Sequence, residues 1–264
     1  MNTQHYNPAS TPPLLPVGKI LLGAFAVTWM NRQNLLRGLG AIALSIILVK
    51  VTWQYTYDQI PTAASMVFWM ISMMLYAKFA VICHRLVLLE FGSASRIELP
   101  ISWSDRETRF VGWLLAVYFL VSIGSILFVM FPFMIFSKYL PEAVRTNPNE
   151  MLPYAAVFVG IPATYLLARM SPIFPATALD TQKKLAWAWT ITKANGFRLA
   201  IIVGLLPWLS GYLNFVLLGK QPGLPAIIIS NILNYIFITI EITALSLAYR
   251  ELTKAPIEEG ISDL

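Results

Sequence analysis

The sequence predicts an all-α, polytopic membrane protein with six transmembrane helices paired as three hairpins and short amphipathic helices in the headgroup layer. Three observations carry this prediction. First, the 264 residues are 57% hydrophobic and only 12% charged, outside the usual range of soluble domains. Second, runs without any charge cover 110–137, 199–219, 221–240, 59–77 and 151–168, and 38–57 is broken only by Lys50. About 20 apolar residues in a helix cross the hydrocarbon core, and these runs are apolar on every side, without the alternation of a transmembrane β-strand. Third, fourteen of the 19 Lys and Arg fall in segments that lie on one side if the spans alternate. Positive residues stay cytoplasmic, so both termini are expected on the cytoplasmic side.

The elements follow in order. Residues 1–18 carry four prolines between Pro8 and Pro16 and no Lys or Arg, and read as a disordered cytoplasmic tail rather than a signal peptide. Residues 19–254 form one transmembrane domain with spans at about 38–57, 60–83, 110–137, 151–169, 198–219 and 224–249, and 255–264 form a second tail. Each predicted hairpin begins and ends near an arginine: Arg37 to Arg85, Arg109 to Arg169, Arg198 to Arg250. Asn34-Leu-Leu-Arg37 and Asn195-Gly-Phe-Arg198 repeat one pattern ahead of spans one and five, an indication of an internal repeat.

Before span one, Leu22, Phe25, Trp29 and Leu36 share a helical face; in 180–195, Leu185, Trp187, Trp189 and Ile191 oppose an arc of Gln182, Lys183, Thr190 and Lys193. Both segments are expected to lie in the headgroup layer. Ser104-Asp-Arg-Glu107 has the form of a capping box and places a helix start just ahead of span three. Pro132, Pro162 and Pro207 fall inside spans, where neighbouring helices can accommodate them.

Chemistry is sparse. One cysteine and two histidines exclude a disulfide framework and leave too few soft ligands for a zinc site, and no nucleophile elbow, phosphate loop or zinc-protease motif is present. The expectation is a non-enzymatic protein without cofactor or metal; a lipid-modifying enzyme acting through Asp180 or Glu90 has no motif behind it. The net charge of +6 lies beside apolar runs, not in basic stripes with stacking aromatics, so no nucleic acid is expected. The expected partners are membrane lipids, with a membrane-protein partner or a second copy compatible with Gly112-x-x-x-Ala116 and Ala244-x-x-x-Ala248.

Two groups of residues are candidate sites. Arg85, Arg169 and Arg250 end three spans at one depth, either as anchors on helix carbonyls and phosphates or as a ring around a lipid phosphate. Lys78 and Glu241 lie within spans, roughly 10 and 14 Å from the arginine ends, where a mutual ion pair is the economical arrangement. Asn231 and Asn234 share a face with Glu241, and Asn214 in span five is the expected partner of that stripe, read first as interhelical glue and alternatively as the wall of a small-solute transporter or channel.

The segment Ala168-Arg-Met-Ser-Pro-Ile-Phe-Pro175, followed by Ala186-Trp-Ala-Trp-Thr190 and Thr192-Lys-Ala-Asn-Gly-Phe-Arg198, resembles a bacterial inner-membrane pattern. It is similar to YciC-like proteins and to the membrane domain attached to some bacterial glycerophosphodiester phosphodiesterases, over about 35 residues. The resemblance implies a six-helix inner-membrane protein and supplies no catalytic residues. Function is therefore expected in lipid or headgroup binding or in support of envelope assembly.

Overall fold

A computed structural model describes residues 14–56, 61–89, 102–136, 139, 148–218 and 223–254. All regular elements among them are helices: α1 (Val17–Met30), α2 (Arg32–Thr56), α3 (Thr62–Leu88), α4 (Asp105–Phe136), α5 (Pro148–Met170), α6 (Ile173–Ala178), α7 (Leu185–Ile191), α8 (Gly196–Leu218) and α9 (Leu224–Thr253). Long helices cover all six predicted segments, and five of them, α2, α3, α4, α8 and α9, are long and apolar enough to cross a membrane. This is a membrane protein by length and composition. Several helices run past the predicted spans toward their arginines, because helix hydrogen bonding does not stop at the hydrocarbon boundary.

The most extensive pairings join α8 to α9, α2 to α3 and α4 to α5. The long helix α9 also packs on α1, α2 and α3, which makes it the central element. One apolar core gathers Leu39, Ile46, Phe79, Ile82, Phe110 and Ile173 between α2, α3, α4 and α6. A second gathers Ile20, Ala24, Leu199, Ile202, Ala244 and Ala248 between α1, α8 and α9. The outward faces carry exposed Leu44, Met70, Phe119, Phe215 and similar residues; a bundle in hydrocarbon has no reason to hide them. Pro132, Pro162 and Pro207 each sit within an unbroken helix.

The two predicted amphipathic segments take different forms. Leu22, Phe25 and Trp29 do share an exposed face of α1, but the helix breaks at Asn31, whose side-chain amide donates to Val27 O at 2.9 Å, so Leu36 belongs to α2. The opposite face of α1 is buried on α9, with Gly23 beside Leu247 and Thr28 beside Thr243. Those matched pairs run the two helices antiparallel. The second segment is helical only over α7, where Ala188 and Ile191 turn inward and Trp189 outward; it does not present all four apolar residues on one face.

The tail ends earlier than the prolines suggest. Leu15 is buried, its amide donates to Asn195 Oδ1 at 2.8 Å, and its carbonyl accepts from Arg198 Nη1 at 3.0 Å. Asn195 is thus a buried clamp, whereas Asn34 in the matching motif is exposed. The shared pattern does not produce a shared structural role.

Candidate functional site: a cavity among the helices

Between α3, α4 and α9 lies a cavity of about 540 Å³, within the range that holds a drug-sized ligand. Its wall is largely apolar, with Leu114, Val117, Val121, Ile238 and Ile242 among its lining. Polar groups on three helices line it as well: Ser72, Tyr76 and His84 on α3, Tyr235 and Glu241 on α9, and Lys50 on α2. Trp69, Leu115 and Tyr118 also line it and are exposed on the outside of the bundle. The cavity therefore has an open side along the α3–α4 seam.

The sequence explains how this space is held. His84 is fully buried and shares a 2.7 Å hydrogen bond with Ser246 Oγ, locking α3 to α9. Phe79 meets Tyr235 edge-on, with ring centroids 6.0 Å apart, so the same two helices touch again nearer the middle. At the arginine end the cavity meets Ser171 and Phe174. All of α6 is buried, packed on α3 and α4, so the first part of the connection between α5 and α8 folds inward as a plug, while residues 182–184 after it are exposed.

That plug is fastened from outside. Arg85 Nη1 donates to Ala178 O at 3.2 Å, and Asp180 follows with a left-handed φ of 61°, a conformation Asp tolerates. Arg106 donates to Asp180 through Nε at 2.9 Å and Nη2 at 2.5 Å, and Arg109 donates at 2.7 Å. Arg85 stands 3.8 Å away. The Arg106 hydrogen bonds, aided by the charges of all three guanidiniums, hold the Asp180 carboxyl below the usual carboxylate range against the opposing effect of its partial burial.

The sequence-predicted candidates separate into distinct places. Arg85 joins the Asp180 cluster. Arg169 is buried and donates to Thr192 Oγ1 at 2.8 Å, Tyr165 OH at 3.2 Å and Trp189 O at 2.5 Å, with its guanidinium 4.1 Å from the Trp189 ring centre. That residue clamps α7 to α5. Arg250 is exposed near the end of α9. Arg85 and Arg169 are thus engaged by different local acceptors, the first at the Asp180 cluster and the second at Thr192 and Trp189.

Lys78 and Glu241 do not pair. Lys78 is buried, donates to Ser102 O, and lies 4.0 Å from Glu107 Oε1. Glu107 in turn accepts from the Ser104 amide at 2.9 Å through Oε2 and from the Ser104 hydroxyl. Half of the predicted capping box is therefore present, with α4 starting at Asp105: Glu107 reaches back to the Ser104 amide, but the Ser104 hydroxyl donates to that same carboxylate instead of accepting an amide proton, and the carboxylate also serves as the counter-charge of Lys78. The sequence marked Glu107 only as a cap, since nothing in one dimension relates α3 to the turn before α4.

The asparagines act between helices. Ser230 Oγ donates to Asn214 Oδ1, and Ser210 Oγ to Asn234 Oδ1 at 2.8 Å, both joining α8 and α9. Asn231 Nδ2 reaches Gln54 Oε1 at 3.0 Å on α2 and Ile227 O at 2.9 Å on its own helix. Of the expected polar stripe, only Glu241 faces the cavity.

No protein-family model matches the chain, and neither a curated protein nor a solved structure matches it.

Lys50, the one charge interrupting the first span, also lines the cavity, as do Ser72, Tyr76 and Tyr235, which carry no signal in the sequence. Lys50 Nζ lies 5.9 Å from the centre of the Tyr235 ring. Glu241 and Lys50 make no hydrogen bond or ion pair among the described residues. No group of three metal-ligating side chains occurs among the described residues.

Proposed function

We propose that this protein is a non-enzymatic, multi-pass inner-membrane protein that binds an amphiphilic lipid in the cavity between α3, α4 and α9. The observation that carries the reading is the lateral mouth at Trp69, Leu115 and Tyr118 on a mostly apolar cavity of about 540 Å³. Apolar walls with a few placed polar groups suit an apolar chain ending in a polar group, and a mouth on the lipid-facing surface admits it without passage through water. In this reading α5 supplies the sixth span, the helices pair as three hairpins, and both termini face the cytoplasm. Kinship with YciC-like proteins is proposed on residues 168–198 alone.

A small-solute pathway along Lys78, Asn231, Asn234 and Glu241 is less well supported, because the first three are engaged by Glu107 and Ser102, by Gln54 and by Ser210. The test is mass spectrometry of the protein released gently from lipid nanodiscs, comparing wild type with Leu114→Trp, which places an indole in the cavity. The expected result is one retained lipid in wild type and its loss in the folded variant. Retention unaffected by Leu114→Trp, or no retained lipid at all, would overturn the reading.

A further inference from the structure

We propose that the amphiphile taken by this cavity is zwitterionic, with its anionic group at Lys50 and its ammonium group at Glu241. The inference rests on the cavity reading and goes further by naming the headgroup chemistry. Lys50 and Glu241 line the same space, carry opposite formal charges, and yet make no ion pair with each other.

The separation has a simple origin. Lys50 sits beside Tyr235, and Glu241 lies six residues further along α9, about 9 Å of axial length at the rise of an α-helix. The two groups stand beyond ion-pair distance of each other, and an offset of this order suits a short headgroup with hydrogen bonds at both ends. Charges within a span face the bundle interior and find partners; here both face the cavity, with no counter-charge within ion-pair distance among the described residues. A ligand carrying one charge would satisfy Lys50 or Glu241 and leave the other uncompensated, whereas a zwitterion satisfies both. Tyr76 and Ser72 on the same wall can bond the intervening polar atoms. The apolar chain then follows Leu114 and Leu115 toward the α3–α4 mouth.

The experiment uses the full chain in detergent and three added amphiphiles of equal chain length: a lysophosphatidylethanolamine, a lysophosphatidylglycerol and a primary alkylamine. Native mass spectrometry reads the bound fraction of each for wild type, Lys50→Gln, Glu241→Gln and Leu114→Trp. Wild type is expected to prefer the ethanolamine lipid by about tenfold or more over both singly charged probes. Glu241→Gln should erase its advantage over the anionic lipid, and Lys50→Gln its advantage over the alkylamine. Equal binding of all three probes, with Leu114→Trp still abolishing it, sinks the zwitterion and leaves the cavity reading in place. Binding that ignores Leu114→Trp sinks both. Should a charge variant not fold, the wild-type preference among the three probes decides by itself.

Discussion

Lys78 and Glu107 show how a single residue can serve two structures at once. The Glu107 carboxylate caps α4 through the Ser104 amide and faces the buried Lys78 ammonium from the other oxygen. Removing it with Glu107→Ala would leave a buried cation with only the Ser102 carbonyl as acceptor. A broken buried pair costs about 3–5 kcal/mol, and the retained carbonyl places this case near 3. Glu107→Gln keeps a capping side chain and should recover about 1 kcal/mol of the loss, the usual worth of an N-cap. Denaturation in detergent, followed by near-UV circular dichroism, measures both; equal stability of the three proteins would mean that Lys78 needs no counter-charge.

At the scale of elements, α5 and α8 approach closely because glycines face larger side chains across the seam. Gly160 lies against the Trp208 ring, where an added Cβ would sit 2.6 Å from it, and Gly204 faces the Thr164 methyl still more tightly. Small residues at such seams let helices approach in a bilayer, where van der Waals packing replaces the hydrophobic effect as the driving force. Gly204→Ala is expected to destabilise the fold by about 1–3 kcal/mol through overpacking. Adding Thr164→Ser removes the opposing methyl while keeping the hydroxyl that accepts from Trp208 Nε1 at 3.4 Å. The double variant should recover most of the loss in the same denaturation assay, and failure to recover would place the strain elsewhere.

For the whole molecule, charge asymmetry and span count make one joint prediction. With six spans, residues flanking the ends of α3 and α9 fall on one side of the membrane and the connection after α8 on the other. In a Cys83→Ala background, Lys254→Cys should resist an impermeant maleimide added to intact cells, and Lys220→Cys should react. Opposite behaviour at either position would show that one of the helices does not cross. The assay also decides the status of α5, since removing one span from the count moves Lys220 to the side of the N-terminus.

The sequence by itself determined the membrane class, the positions of the long helices, the helix start after Ser104 with Glu107 reaching back to it, and the reading of the asparagines as interhelical glue. Each of these depends on local composition or on the period of one helix, which the chain carries residue by residue. Tertiary structure alone decided the partners: Lys78 with Glu107, Arg85 with Asp180, Arg169 with Thr192, and Lys50 and Glu241 across one cavity. Matching residues by membrane depth put Lys78 opposite Glu241, but depth is one coordinate and pairing needs three. The inward fold of α6 was invisible for a related reason. Its apolar residues look the same whether they meet lipid or protein, and only the packing of α3, α4 and α9 distinguishes the two.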